Sequence, residues 1–314
     1  MIYILLSTYN GSKYLNEFLD SLLSQSMNDW LLLARDDGSS DHTREILSTF
    51  ALSNPSRVEL ICETDNLGAM GGFSRLLEYA TSRGGCNYIM FADQDDVWKS
   101  DKLSKTLAEM KRLEDSYGAD MPLLVHTDLT VVDEALNVLD KSFWNYQHLL
   151  PQKKSISKLL MQNNITGCTV MINIKLAQLS MPISERSIMH DWWIGLAASA
   201  FGKISYLDEA TMLYRQHGAN DTGAKHFSYL EVIKKAFSLF VKKDIYTAHL
   251  DKNIAQAKAF LRQYEDKLGE SDKKMLTDFC NIKEYSFWKK RYILFRYSLF
   301  KQGIIRNIGL LLRV

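Results

Sequence analysis

Along the first 115 residues one pattern recurs: a short apolar run, a polar loop, then apolar residues at helical spacing. Ile2 to Leu6 is continuously apolar and breaks at Ser7-Thr8-Tyr9-Asn10-Gly11, which predicts a buried strand and a loop. Residues 13–25 place Tyr14, Phe18 and Leu22 on one side and predict a helix. Trp30 to Ala34 predicts a second strand that runs into RDDGSSDHT, with a helix from near Asp41 or Thr43. Val58 to Ile61 predicts a third, followed by TDNLGAMGG and a helix through Phe73, Leu76, Leu77 and Ala80. Tyr88 to Ala92 predicts a fourth, ending in DQDDVW, with a helix over about 100–115. Four strand–loop–helix units mean an α/β fold, a mostly parallel central sheet with helices on both faces. Every polar loop follows the C-terminal end of a strand, where open sheets of this class bind ligands.

The segment 120–224 is less regular. Leu123 to His126 predicts a strand, DLTVVDEALNVLD another with a turn, and NNITGCTVMINIKLAQL a strand flowing into a helix. Asp191 opens or lies within the apolar segment DWWIGLAASAFG, and ISYLDEATMLYRQH reads as a strand. From about 225 the texture becomes long helical patterns rich in Lys, Phe, Tyr and Leu, without proline. The expected division is therefore an α/β body over 1–224, in halves 1–115 and 116–224, and a basic helical extension over 225–314.

Charge sharpens that division. The chain carries 38 basic and 37 acidic side chains, a net of +1, but residues 225–314 hold 19 basic and 9 acidic, and 1–224 hold 19 and 28. A hydrophobic fraction of 46% with 24% charged residues excludes a disordered or fibrous chain. The overall balance, and the lack of a nucleic-acid motif, argue against a nucleic-acid partner. Residues 285–314 contain seven Lys or Arg and no acidic residue. There Phe300, Ile304, Ile308 and Leu311 fall on one helical face, with Arg306 and Arg313 opposite, as in a helix lying on an anionic membrane surface. The alternative partner for that face is protein: the body of the chain, or a second copy in a homodimer. No apolar run reaches the roughly 18 residues of a membrane span, and the chain opens directly on a strand without a targeting segment. Cys62, Cys86, Cys168 and Cys280 form no CxxC pair and read as reduced thiols of a cytoplasmic protein.

The densest chemical signal is Asp93-Gln94-Asp95-Asp96. Three carboxylates in four positions repel unless a cation or donors compensate them. Asp93 and Asp95 can point to one side, which suits Mg2+ or Mn2+ bridging a carboxylate and a substrate phosphate; the alternative is an acidic turn capping the next helix. Asp36 or Asp37 can accept from a ring N–H, the Tyr9 ring can stack on a base, and Asn66 and Gly68 sit in a donor-rich loop before a helix N-terminus. Asp191, beside Trp192 and Trp193 and after His190, is expected to carry a raised pKa suited to proton abstraction; the tryptophans could form a sugar platform. Arg215 or His217 could compensate phosphate charge, and His217 could complete a metal shell. His126 and Asp128 flank a strand end and read as a supporting layer or a polar edge. No Walker A loop and no GxGxxG fingerprint is present.

Taken in order, STYNG, RDDGSSDHT, NLGAMGG, FADQDDVW and HDWW resemble the family 2 glycosyltransferases of GT-A fold over about 1–220. NNITGCTVMIN, HDWW and YRQHGANDTG look most like bacterial rhamnosyltransferases of O-antigen, rhamnan or capsular polysaccharide synthesis. The resemblance implies an inverting, metal-dependent enzyme with a nucleotide-sugar donor: dTDP-β-L-rhamnose, or alternatively a UDP-hexose. It implies that Thr8 and Tyr9 contact base and ribose, Asp36 or Asp37 reads the base, and Asn66 and Gly68 shape the donor loop. Asp93 would bind donor ribose or sugar, Asp95 the metal, His217 metal or diphosphate, and Asp191 would be the catalytic base. His190 departs from the acidic residue that the family places there. A lipid-linked glycan acceptor, and work at the inner face of the bacterial plasma membrane, complete the expectation. A sugar-nucleotide pyrophosphorylase would need a Gly-rich basic loop after the first strand, which STYNG does not supply; a non-catalytic interaction protein would have no reason to gather carboxylates at strand ends.

Overall fold

The computed structural model describes residues 1–63, 65–218 and 243–313, leaving aside the side chains of 243–248, 304, 305, 312 and 313. Nine strands form one sheet: β1 (Ile2–Thr8), β2 (Trp30–Asp36), β3 (Val58–Ile61), β4 (Tyr88–Ala92), β5 (Val97–Trp98), β6 (Leu123–Val132), β7 (Val138–Asp140), β8 (Met171–Asn173) and β9 (Lys203–Arg215). Their order is β3-β2-β1-β4-β8-β6-β9-β5, with β7 on the side of β6. Strands β3, β2, β1 and β4 run parallel, β8 is antiparallel to β4 and β6, and β9 runs parallel to β6. The α/β sheet expected from the sequence forms, parallel over β3-β2-β1-β4 as expected, but beyond β4 it is mixed, because β8, β7 and β5 pair antiparallel to their neighbours.

The period of two along β1 sorts the core into two faces. Tyr3 and Leu5 pack with Phe73, Leu76 and Leu77 of α3 (Gly68–Arg83), whereas Ile2, Ile4 and Leu6 pack with Phe18 and Leu22 of α1 (Leu15–Leu23). The helices α2 (Thr43–Ser53) and α4 (Lys102–Tyr117) complete the first half. Beyond them lie α5 (Phe143–Gln147), α6 (Ile156–Met161), α7 (Ile174–Ser180) and α8 (His190–Phe201). Register puts Thr8 opposite Asp36, and Leu6 opposite Ala92 one residue before Asp93. The loops after β1, β2 and β4 therefore open on one rim of the sheet.

The C-terminal helices are α9 (Lys243–Tyr264), α10 (Glu270–Cys280), α11 (Phe287–Arg296) and α12 (Ile304–Arg313). Their Phe260, Tyr264, Phe279, Ile293, Leu294 and Leu310 join the same apolar cluster as Trp193. The boundary expected near 224 lies outside the described residues, as do Ala219 to Gly223 of YRQHGANDTG. Of the apolar face expected on 300–311, Phe300 and Leu311 are partly buried against the core. Part of that face therefore packs on the body of the chain. Ile308 is its exposed member, and the side chains of Ile304 and Arg313 lie outside the described residues. No described helix is long and apolar enough to cross a membrane. All four cysteines are free thiols.

Candidate active site

At the β1–β2 rim, Asp36 is nearly buried and accepts from the Thr8 hydroxyl (3.0 Å), the Ser39 N–H (2.9 Å) and hydroxyl, and Arg44 Nε (2.7 Å). Burial opposes its charge, but these donors outweigh burial and lower its pKa. Beside it a cleft of about 230 Å3 is walled by Ala34, Leu47, Leu60 and Ile61, with Arg44 at its polar side. Tyr9 exposes its ring, while Gln94 grips its backbone at both ends: the Tyr9 N–H donates to Oε1 and Gln94 Nε2 donates to the Tyr9 carbonyl, each at 2.9 Å. Gly11 makes room for that clamp, since a Cβ there would lie 2.1 Å from Gln94 Oε1. Gln94 is a site residue that reading from the sequence passed over; only the topology brings it to Tyr9.

Asp37 takes a different part from its neighbour. Its carboxylate pairs with the fully buried Arg35 and accepts the N–H groups of Leu67 (2.8 Å) and Gly68 (2.7 Å) at the start of α3. It is the anchor of the Asn66–Gly68 loop. Asn66 is exposed and its Oδ1 accepts the Gly68 N–H (3.2 Å). Gly68 itself has φ +66 with open space around it, a left-handed backbone suited to glycine.

After β4, the three aspartates diverge. Asp95 meets His217 across the sheet, Oδ2 to Nε2 at 2.7 Å, with the imidazole against the Tyr14 ring at 4.9 Å. Asp93 and the fully buried Asp96 instead converge with Cys168, their ligand atoms all within 4.8 Å of one another. Burial, then Asp95 and Asp93, push the Asp96 pKa well above the usual carboxylate range. One Asp96 oxygen accepts the Arg215 N–H (3.2 Å), and the Cys168 thiol lies against the carboxylate. Arg215 is also buried: its guanidinium donates to the carbonyls of Asp95 and Glu134 and to the Glu17 carboxylate (2.6 Å), and stacks over Tyr14 at 4.4 Å. Those groups occupy the fork expected to meet a diphosphate, and Arg215 instead pins the Asp95 and His217 segments together.

Asp191 sits in the first turn of α8, buried, where the Gly167 N–H (2.9 Å) and its neighbour Trp192 N–H (2.6 Å) hold its two oxygens. Burial raises its pKa to about 7 despite those donors. His190 lies tilted between Phe73 (4.2 Å) and Phe91 (4.9 Å), has no hydrogen-bond partner among the described residues, and is held neutral by burial, its pKa lowered to about 3. It packs the floor below Asp191. The expected pair of sugar-facing tryptophans is corrected: Trp193 is fully buried against Phe260 and Tyr264, its Nε1 donating to the Ser180 carbonyl. Trp192 is half-buried at the surface. His126 and Asp128 are likewise internal, His126 beside Trp144 and Asp128 accepting the Trp144 N–H at the start of α5.

The donor set fits a divalent cation. Asp93 and Asp96 converge with Cys168, and Asp95 Oδ2 with His217 Nε2 offers a converging oxygen–nitrogen pair. Cys168, whose thiol completes the inner cluster, carries no signal in sequence, being one cysteine in an apolar run.

Residues 3–128 match the family model "Glycosyl transferase family 2". Among curated proteins, the chain is 27% identical over 229 residues to a dTDP-rhamnosyl transferase, RfbG of Shigella flexneri, covering 70% of this chain and 74% of that one. It is 27% identical over 193 residues to WfgD of Escherichia coli, a UDP-Glc:α-D-GlcNAc-diphosphoundecaprenol β-1,3-glucosyltransferase, covering 61% and 68%. Staphylococcus aureus TarS residues 1–349 in complex with UDP-GlcNAc superimposes with a TM-score of 0.58 at 14% identity, covering 94% of this chain and 80% of that one. Residues 3–128 are thus similar to the glycosyl transferase family 2 domain, and the chain as a whole shares the GT-A fold of TarS.

Proposed function

We propose that this glycosyltransferase builds a bacterial cell-surface polysaccharide, moving one L-rhamnose from dTDP-β-L-rhamnose to a hydroxyl of a lipid-linked glycan at the cytoplasmic face of the membrane. One arrangement supports it most: Gly167 holds Asp191 and its neighbour Cys168 lies against Asp93 and Asp96, so a proton acceptor and the donor-side carboxylates share a single turn. Asp191 takes the proton of the acceptor hydroxyl while its oxygen attacks the anomeric carbon. The bond to the diphosphate oxygen breaks on the opposite face, which inverts the centre and yields an α-L-rhamnoside. A base with a pKa of about 7 is ionised near neutrality yet still basic enough to accept the proton.

Tyr9 stacks on the base and Asp36 accepts its ring N–H, with Thr8 behind them. Asp37 anchors the Asn66–Gly68 loop over the diphosphate, and Asp93 contacts the donor ribose or sugar. Asp95 and His217 would hold Mg2+ or Mn2+, which when bound offsets charge on the departing diphosphate. Arg215 fixes those two ligands, and Trp192 stands where it can orient the acceptor.

The name of the Shigella relative supports the rhamnosyl donor, and that of the Escherichia relative supports a diphosphoundecaprenol-linked acceptor. A UDP-hexose donor is the second reading, favoured by the glucosyltransferase relative and the UDP-GlcNAc bound to TarS. Following nucleotide release from dTDP-β-L-rhamnose, UDP-glucose and UDP-GlcNAc decides between them. The rhamnosyl reading expects dTDP release at least about tenfold faster than UDP release. Faster UDP release gives the site to the second reading, and a β-configured rhamnoside product would overturn inversion.

A further inference from the structure

We propose that α11 is a lipid-facing surface that seats the enzyme on an anionic bilayer, in place of the 300–311 face first considered. Trp288 is 79% exposed, Phe295 62% and Tyr292 57%. At 3.6 residues per turn these three lie within about 60° of arc, and Ile293 and Leu294 on the other side of the helix are buried in the core. Such a row of bare aromatics is an interfacial signature, because a ring with one polar edge settles at headgroup depth. Cations frame it. Lys289 and Arg296 are exposed on one flank, Arg291 lies on the other with its guanidinium 3.3 Å from the centre of the Phe287 ring, and the stretch 285–314 contains no acidic residue. A second copy of this chain would have to bring acidic groups to such a face, whereas an anionic headgroup layer supplies them everywhere.

Position relates this surface to the chemistry. The connection after α11 is fastened to the 116–224 half: Lys158 Nζ donates to the Ser298 carbonyl, the Gln302 N–H to Gln162 Oε1 (2.9 Å) and Arg306 to the Gln147 carbonyl (3.3 Å). Segment 147–162 leads directly into Asn163, which is close enough to Asp191 to lower its pKa. The membrane contact thus borders the side of the molecule from which a lipid-linked hydroxyl would approach the base. This inference goes beyond the catalytic reading and does not depend on which sugar is transferred.

Flotation of the full chain with phosphatidylcholine vesicles, and with vesicles containing phosphatidylglycerol, tests it without nucleotide or acceptor. Binding is expected to the anionic vesicles alone and to weaken with salt. Changing Trp288, Tyr292 and Phe295 together to Ser should weaken partition about a hundredfold. Lys289→Gln and Arg296→Gln combined should do so by about thirtyfold. Both sets should leave the thermal midpoint unchanged. No binding by the parent chain, or equal partition of the aromatic variant, overturns the proposal. So does a fall from dimer to monomer in the aromatic variant, which would give the face to a second copy. Failure of the donor assay with intact vesicle binding would overturn the catalytic reading alone.

Discussion

Asp191 holds its charge at a cost, and that cost is measurable. Its carboxyl titrates at 3.8 in a solvated reference and at about 7 in the folded chain, because burial outweighs the two N–H donors that hold it. Between those values the folded form carries the extra proton, so this group's contribution to stability is complete below about pH 4 and lost as pH rises through 7. The loss is about 1.4 kcal/mol per pH unit across that window. Asp191→Asn has no such slope. Relative to the parent it should gain about 2–3 kcal/mol between pH 5 and pH 7 in denaturant titrations, on top of a constant penalty for the N–H that Asn leaves unpaired. The same substitution should cut transfer about a thousandfold with nucleotide affinity retained, and remove an acidic limb near pH 7 from the parent's rate profile. Near-parental turnover would end the base assignment. Two adjacent tryptophans announced the burial of Asp191, but they could not tell which of them faces outward. Helix phase decides that: position 193 turns into the core with 194 and 197, and 192 does not.

Elements show the same division between local and convergent information. Strands β1, β2 and β4 are legible because each buries an unbroken apolar run and ends at a polar turn. The short pieces escape notice: β5 has two residues and α6 six, too few for a period to declare itself. What no single element reveals is the meeting of strand ends. The end of β9 brings Arg215 and His217 to the β4 loop, and there Arg215 spends its fork on Asp95, Glu134 and Glu17 rather than on a ligand. A lysine cannot reproduce that planar fork or its stacking on Tyr14. Arg215→Ala should therefore cost about 3 kcal/mol of stability. Arg215→Lys should weaken nucleotide binding about tenfold in Mn2+ while changing it little in EDTA, as loss of a ligand-orienting neighbour does. Isothermal titration under the two conditions checks this, and equal losses in both would assign Arg215 to nucleotide contact instead.

Across the whole molecule, charge and packing divide the chain differently. By charge, 1–224 is acidic and 225–314 basic, so the composition reads as a body with an appended tail. By packing, the C-terminal helices are part of the core: Ile293, Leu294, Leu299 and Leu310 are all within 1% of full burial, in the cluster that contains Trp193 of α8, two residues from Asp191. Sequence periodicity identified the helices, yet the partner of each apolar face depends on residues more than 100 positions away. Removing 285–314 consequently strips a wall from the core rather than releasing an anchor. The four aliphatic side chains alone are worth on the order of 8 kcal/mol in burial, comparable to the net stability of a typical domain. The truncated chain should fail to unfold cooperatively on heating and should bind a hydrophobic dye at room temperature, whereas the exposed-face variants of α11 melt like the parent. A truncated chain with the parental midpoint and no dye binding would show that 285–314 is an appendage after all, and that the acidic body folds without it.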